Sequence, residues 1–190
     1  MKRYELGATL AGSKEILGKV QRASGVSLSD CYQCGKCSAG CPVAFAMDYT
    51  PRQIIRLLQF GLVEEALQSH TIWLCAHCNA CFTRCPREID LPGLLETLRV
   101  EAKKAGLIKE KKVDLFTDLF LDSVKKHGRV HEMGMILKFN LKAGQPFKDA
   151  GLAPALYKNG KLKPLPHKIH DNGAVKRIFE RINGDGGETH

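Results

Sequence analysis

The amino-acid sequence predicts an all-α fold built around two cysteine-containing loops. Several segments place apolar residues at helical spacing between recognisable helix start and stop signals. No segment shows the sustained alternation of apolar and polar residues that is typical of a strand. All eight cysteines lie between Cys31 and Cys85, so the loops that carry them belong to the first half of the 190-residue chain.

The composition indicates a soluble globular protein. Hydrophobic residues make up 44% of the chain and charged residues 26%, which excludes global disorder and a collagen-like protein. No apolar export signal follows Met1, and polar side chains interrupt the longest uncharged run, Ala66 to Thr83. We therefore expect a cytoplasmic protein with no direct membrane span, in which clustered thiols are metal ligands rather than disulfides.

Two helices are expected on either side of the first cysteines. The first ends at Gly25. Its apolar face is formed by Ile16, Leu17 and Val20. The second begins at Thr50, where the sequence TPRQ combines a capping box with proline at the first helical position. Its apolar face is formed by Ile54, Ile55, Leu57 and Leu58, and Gly61 is the expected stop.

Three further helices are predicted after Gly61. A short one covers residues 62–67, and the next is opened by Asp90 and Pro92 and ends at Gly106. The apolar stripe of that helix is formed by Leu94, Leu95, Leu98 and Ala102. The last runs from about Lys111 to Lys126. Its predicted buried face is formed by Val113, Phe116, Phe120 and Val124.

The remaining sequence differs in composition. Residues 138–168 contain seven lysines against one acid, Asp149, and four of the eight prolines, which predicts an extended arm without its own core. A short helix is expected around residues 175–182, and Gly184 to His190 are expected to be disordered. We therefore divide the chain into an N-terminal helical extension (1–24), an α-helical domain with all cysteines (25–130) and a basic, partly extended partner-docking arm and tail (131–190).

The cysteines form an internal repeat of two motifs. The first motif reads CYQCGKCSAGCP (residues 31–42) and the second reads CAHCNACFTRCP (residues 75–86), so each cysteine recurs 44 residues later. The spacing C-x2-C-x2-C-x3-C-P is typical of [4Fe–4S] ligation. The alternative is zinc, but a zinc site uses C-x2-C pairs separated by a longer arm, and the third cysteine here would crowd one tetrahedral ion.

The repeat predicts two clusters with exchanged ligands. In two-cluster ferredoxins the fourth cysteine of each motif reaches across to the other cluster. The predicted ligands of cluster 1 are Cys31, Cys34, Cys37 and Cys85. The predicted ligands of cluster 2 are Cys75, Cys78, Cys81 and Cys41. Because these eight thiolates saturate eight irons, no iron keeps an open position for substrate, and we expect one-electron transfer without a catalytic site in this chain.

Other residues beside the cysteines receive structural interpretations. Trp73 is expected to pack in the shell of a cluster. His77 is not expected to be a ligand, because four cysteines already saturate each cluster. Lys36, Arg84 and Arg87 lie beside ligands and are either solvated charges or cations that raise a reduction potential.

The charge points to a partner in the second half of the chain. The net charge is +9, and residues 96–190 hold nineteen basic and twelve acidic residues. The lysine-rich arm has only three aromatic residues and no nucleic-acid-binding motif, so we expect no nucleic acid partner. A docking arm that orders on a partner protein is the favoured interpretation.

The chain resembles the iron–sulfur electron-transfer subunit of heterodisulfide reductase over roughly Gly25 to Arg181. The resemblance is carried by both cysteine motifs and by four segments. These are TPRQIIRLLQFG (50–61), IWLCAHCNACFTRCPREID (72–90), GQPFKDAGLAPAL (144–156) and GKLKPLPHKI (160–169). The cysteine motifs alone fit many ferredoxin-like proteins, and the two late segments favour this family.

The resemblance implies an α-helical ferredoxin fold and a role in a cytoplasmic multisubunit oxidoreductase. The iron–sulfur subunit of that family passes electrons from a flavin-containing subunit to the catalytic subunit, which reduces a disulfide of two coenzyme thiols in methanogenesis. All eight cysteines match the family frame. The alternatives are an electron-relay subunit of another oxidoreductase, of the sulfur-metabolism or glycerol-phosphate dehydrogenase type, and a zinc-stabilised interaction module.

Overall fold

The computed structural model describes residues 6–148, 150–161, 165–167 and 169–184. These ranges contain eleven α-helices and a few short 3-10 turns, with no strand. The predicted all-α class is therefore confirmed. Asp149 and residues 185–190, most of the tail that we expected to be disordered, lie outside the described ranges.

The contacts of the chain divide it into two compact units. The first unit ends at Glu110 and the second begins at Lys111. The domain boundaries that we drew after residues 24 and 130 do not coincide with this division, and they stay a prediction.

The first unit holds both cysteine motifs. Its helices are α1 (Leu6–Ser24), α2 (Lys36–Ala39), α3 (Pro51–Gln59), α4 (Val63–Leu67), α5 (Thr71–Leu74), α6 (Ala80–Thr83) and α7 (Leu91–Lys104). The helices predicted in this region from the apolar pattern, α1, α3, α4 and α7, are confirmed. The short helices α2, α5 and α6 were not predicted.

The ends of α3 and α7 follow the predicted capping chemistry. The N–H of Thr50 donates to Oε1 of Gln53 at 2.8 Å in a capping box, with Pro51 at the first helical position. At the start of α7, the Asp90 carboxylate accepts from the N–H of Gly93 at 3.0 Å. Gly61 follows α3 with φ of +75°, a left-handed conformation that glycine adopts without steric cost.

Helix α7 is the centre of the first unit, because it contacts α1, α4, α5 and α6. The predicted stripe of α7 is fully buried. It packs in a core with residues of α3, α4 and α5, including Ile54, Leu58, Val63 and Ile72. Removing one such side chain, as in Leu98→Ala, costs about 2–5 kcal/mol in comparable cores.

Asp48 links the segment after the first motif to the helix that leads into the second. Its carboxylate accepts from the N–H groups of His70 (2.9 Å), Thr71 (3.1 Å) and Tyr49 (2.9 Å). The first two belong to the start of α5, which ends next to Cys75. Burial alone would raise the pKa of Asp48, but these hydrogen bonds outweigh burial and lower the pKa below its ordinary value.

The second unit is built on α8 (Lys111–His127), with α9 (Glu132–Lys142) and α11 (Asn172–Gly184) in contact with it. The predicted helix at 111–126 is confirmed, but its predicted face is wrong. Phe116 and Phe120 are 43% and 40% exposed, whereas Leu119 and Ser123 are buried. The sequence allows two neighbouring stripes on this helix, and packing against α9 selects the other one.

The segment that we expected to be extended contains helices. Helix α9 runs to Lys142, and α10 (Ala153–Lys158) lies within the lysine-rich stretch. The helix predicted around residues 175–182 is confirmed as α11. Backbone and side-chain hydrogen bonds attach the start of α11 to the end of α8, with Ile169 N–H donating to His127 O (3.2 Å) and Asn172 Nδ2 to Lys126 O (2.8 Å).

In the ranges that the structure describes, no helix has both the length and the apolar character needed to cross a membrane.

We predict that Asp48→Asn destabilises the first unit by about 1 kcal/mol at pH 7, since Asp48 is partly exposed and solvent weakens its hydrogen bonds. Because the pKa is lowered in the folded state, the contribution of the carboxylate is present above about pH 4. It is lost as the pH falls through the folded-state pKa. Urea unfolding followed by circular dichroism at several pH values measures this difference.

The matched control is Glu15→Gln, which neutralises a carboxylate that is 85% exposed and paired only with Lys19. We expect a change within about 0.5 kcal/mol for this control. Equal losses for the two variants, or a loss in Asp48→Asn that does not shrink in acid, would contradict the role of Asp48.

Candidate metal centre

The two cysteine motifs fold into loops with the same backbone conformation. Gln33 and Gly35 have φ values of +63° and +83°, and His77 and Asn79, 44 residues later, have +50° and +59°. Left-handed residues at alternate positions are found where successive N–H groups turn toward an anion, as at many iron–sulfur sites. The repeat seen in the sequence is therefore also a repeat of backbone shape.

Each loop leads into one short helix. Gly35 is the N-cap of α2 and Asn79 is the N-cap of α6, so the third cysteine of each motif lies in a helical turn. Helices α2 and α6 contact one another. Helix α2 also contacts α3, and α6 contacts α7. The contact between α2 and α6 brings the two motifs side by side, although 44 residues separate them.

The first cysteine cavity combines both motifs. It has a volume of about 360 Å³ and is lined by three cysteines of the first motif and by Cys85, the last cysteine of the second. We call Cys31, Cys34, Cys37 and Cys85 the first set. Cys81 also reaches this cavity.

The second cysteine cavity mirrors the first. It has a volume of about 370 Å³ and is lined by three cysteines of the second motif and by Cys41, the last cysteine of the first. We call Cys75, Cys78, Cys81 and Cys41 the second set. All eight cysteines are free thiols. The two sets are the same groups of four that the spacing rule predicted.

Helices α3 and α7 wall both cavities in a symmetric way. Ile55 of α3 and Leu91 of α7 line the first cavity, whereas Pro51 of α3 and Leu95 of α7 line the second. A shift of 40 residues superimposes these helices in sequence, since Ile55 corresponds to Leu95 and Pro51 to Leu91. The sequence repeat therefore includes the helix after each motif, which the cysteine spacing of 44 alone does not reveal.

Two polar side chains that the sequence analysis did not single out hold the loops on these helices. Gln59 of α3 donates from Nε2 to the carbonyls of Leu28 (2.8 Å) and Cys31 (3.0 Å). Arg99 of α7, 40 residues later, donates to the carbonyls of Ile72 (2.9 Å) and Cys75 (3.3 Å). Each therefore anchors the first cysteine of its motif. The 40-residue shift is the signal that could have identified the pair.

The sulfurs lie in a mixed apolar and hydrogen-bonding environment. Burial raises the pKa of the Cys37 and Cys75 thiols. Burial, with repulsion from Cys75, raises the pKa of Cys81 to about 11. Backbone N–H groups oppose this effect at all three sulfurs, and the N–H of Ile89 donates to Sγ of Cys85 at 3.4 Å. Without metal these three thiols hold their protons at neutral pH, so cluster binding has to displace those protons.

The other residues beside the motifs have structural contacts. Trp73 is 5% exposed, which confirms its predicted packing, but it does not line either cavity. Nε2 of His77 lies 3.4 Å from the carboxylate of Glu96. Arg87 lies 3.8 Å from Asp30, and the side chain of Arg84 lies against Gly40. Among the three cations singled out from the sequence, Lys36 lines the first cavity.

The donor sets fit a cluster better than a single ion. In the described part of the chain, no three His, Cys, Asp or Glu side chains converge as they would around one metal ion. Four sulfurs instead line each cavity, as a cluster with an iron at each of four corners requires. N–H donors to sulfur and apolar walls are the surroundings that tune such clusters.

The comparison with protein families agrees with this geometry. Residues 27–89 match the 4Fe-4S dicluster domain family. The matched range contains both cysteine motifs, α2 to α6 and the loop that leads into α7. This match favours two clusters over the zinc alternative.

Curated relatives of the chain are iron–sulfur subunits from methanogens, each designated the C subunit of its enzyme. Over 95 residues the chain is 40% identical to that of the H(2):CoB-CoM heterodisulfide,ferredoxin reductase of Methanothermobacter marburgensis, which covers 50% of this chain and 51% of the relative. It is 40% identical over 81 residues to that of the CoB–CoM heterodisulfide reductase of Methanopyrus kandleri (43% and 42% covered). It is 36% identical over 92 residues to that of the Ferredoxin:CoB-CoM heterodisulfide reductase of Methanosarcina acetivorans (48% and 37%).

The chain spans about half the length, or less, of these relatives. Each aligned stretch is shorter than the region from Gly25 to Arg181 over which we expected the resemblance, so the likeness of the late segments stays a prediction. Residues 27–89 form a 4Fe-4S dicluster domain with two [4Fe–4S] clusters, and the chain is a homologue of the iron–sulfur C subunit of heterodisulfide reductase.

Proposed function

We propose that the first set of cysteines ligates one [4Fe–4S] cluster and the second set ligates the other. The lining of the two cavities supports this assignment, because each contains three cysteines of one motif and the last cysteine of the other. Cys81 reaches both cavities, and the proposal assigns it to the second set, where it completes the group of four. The clusters, when bound, supply one-electron chemistry, while the chain holds the sulfurs in position and shields them with apolar side chains.

We propose that the chain is the electron-relay subunit of a heterodisulfide-reductase-type complex in the cytoplasm. It would carry electrons from a flavin-containing subunit to the catalytic subunit, where a heterodisulfide is reduced. The observation that carries this proposal is the dicluster domain together with the identity to the iron–sulfur subunit of several methanogens. The residues from 131 onward, which are basic and largely exposed, are the proposed docking segment for one of these partners.

The chain itself is proposed to have no substrate-binding catalytic site. Four thiolates per cluster leave no iron with an open coordination position, so Lewis-acid chemistry at iron is not available to a substrate. The role that remains is to accept one electron from one protein and to release it to another.

A relay subunit of another oxidoreductase is the second candidate. The observation that favours it is the limited span of the alignments, which cover at most about half of this chain in these three relatives. Cluster ligation is common to both candidates, and the identity of the partner proteins distinguishes them.

Anaerobic affinity purification of the tagged chain from its native cell, followed by mass spectrometry, identifies those partners. We expect a flavoprotein and a disulfide-reducing protein to copurify in comparable amounts. Copurification with the subunits of a different dehydrogenase, and with no disulfide-reducing protein, would contradict the heterodisulfide reductase assignment and would leave the clusters unaffected.

The exchange of the fourth ligand gives a separate prediction. Cys85→Ser should damage the cluster held by Cys31, Cys34 and Cys37, because a serine hydroxyl replaces one of its four thiolates. Electron paramagnetic resonance of the reduced protein, with iron analysis, measures which cluster signal changes. The reciprocal variant Cys41→Ser should damage the other signal.

The triple replacement of Cys31, Cys34 and Cys37 by Ser identifies the signal of the first cluster. If Cys85→Ser left that signal intact and altered only the remaining one, the fourth ligand would belong to its own motif. The proposed exchange would then be wrong.

A further inference from the structure

An open hollow adjoins the first cysteine cavity. It has a volume of about 700 Å³ and is lined by Cys31, Tyr32, Gln33, Arg52, Gln53 and Arg56. Three of these residues, Cys31, Gln33 and Arg52, also line the first cavity. A molecule seated in the hollow would therefore contact the wall of the first cluster site directly.

The edge of the hollow is cationic, and its charges are not neutralised within the chain. Arg52 and Arg56 are exposed on α3, and Lys36 lines the adjoining first cavity. The Arg56 guanidinium donates to Gln59 (3.1 Å) and lies 4.2 Å from the centre of the Phe60 ring. Among the described residues, no carboxylate forms an ion pair with any of these three cations.

An exposed aromatic side chain completes this edge. Tyr32 is 61% exposed, and its hydroxyl group is hydrogen-bonded to the thiol of Cys34. The side chain therefore connects the hollow to a second cysteine of the first set. We call Tyr32, Lys36, Arg52 and Arg56 the cationic rim.

The internal repeat shows that the fold does not require the cationic rim. At the equivalent positions of the second half, Arg52 corresponds to Pro92 and Arg56 to Glu96. In the second motif, Lys36 corresponds to Ala80 and Tyr32 to Ala76. The buried positions of α3 and α7 are apolar in both halves, whereas the cations occur only beside the first cavity. A feature that is absent from one copy of the same frame is not needed to build that frame.

We propose that the cationic rim is the docking site for an acidic surface of the redox protein that exchanges electrons with the first cluster. The inference deepens the proposed relay function and depends on it. Unpaired arginines bind carboxylates through two parallel hydrogen bonds, and a cationic patch attracts an acidic partner over long range. The second cavity lacks this patch and is served by a different kind of surface.

The electron step at the rim is simple in its balance. One electron leaves the reduced centre of one protein and enters the oxidised one-electron centre of the other. No covalent bond forms or breaks, and the rim residues are neither oxidised nor reduced. Their role is to hold the partner against the wall formed by Cys31 and Tyr32.

The test uses the holoprotein and two small oxidants of opposite charge. The protein is reduced with dithionite, and its oxidation by hexacyanoferrate(III), an anion, or hexaammineruthenium(III), a cation, is followed by anaerobic stopped-flow absorbance. The variant is the Arg52→Glu/Arg56→Glu double substitution. The control is Arg129→Glu, which reverses an exposed arginine of the second unit that has no ion pair among the described residues.

We expect the double variant to react about tenfold more slowly with the anion and faster with the cation, because the local charge is reversed. Both effects should largely disappear at about 0.5 M salt. Decaglutamate, as a defined acidic polypeptide, should slow the reaction of the wild type with the anion and have less effect on the double variant. Arg129→Glu should behave as the wild type does.

Several results would overturn the proposal. Unchanged rates in the double variant would mean that the rim does not steer charged partners. Changes of the same sign with both oxidants would indicate an altered cluster potential instead, and an absence of competition by decaglutamate would exclude an acidic polypeptide as the occupant. If the double variant lost iron, Arg56→Glu alone would decide by the same criteria, since Arg56 does not line the first cavity. The partner purification tests the relay function independently of these rates.

Discussion

Each cysteine cavity draws three sulfurs from one motif and the fourth from the other, and the rest of the first unit serves this exchange. Helices α2 and α6 lie in contact, which places Cys85 beside the first motif and Cys41 beside the second. Neither cavity is complete unless both halves are folded together. We therefore expect cluster binding and folding of residues 27–104 to be strongly coupled, as for other structural metal sites.

The repeat separates what the frame needs from what the surface adds. The left-handed loop positions, the short helix, the buried trio on the following helix and the anchor to the first cysteine occur in both halves, with Gln59 and Arg99 as the anchors. The rim cations occur in one half only. A frame that is symmetric inside and asymmetric outside suits a relay, because a relay has to meet two different partners at its two ends.

The sequence predicted those parts whose cause is local. The capping box at Thr50, the left-handed glycine at Gly61 and the apolar stripe of α7 depend on residues a few positions apart. Asp48 was not predicted, because its N–H donors on α5 lie 22 and 23 residues away. The buried face of α8 was predicted wrongly, since two adjacent stripes have similar apolar character and only contact with α9 distinguishes them. The grouping of the cysteines followed from a spacing rule, whereas the 40-residue correspondence of α3 and α7 became visible only from their shared roles in the structure.

The exchanged fourth ligand is the central claim, and an anaerobic crystal structure with iron anomalous scattering tests it most directly. The account predicts two tetranuclear iron sites, with Sγ of Cys85 bonded to an iron of the cluster held by Cys31, Cys34 and Cys37. Cys41 should be bonded to the other cluster. Four sulfurs of a single motif around each iron site, or zinc at the absorption edge in place of iron, would contradict it.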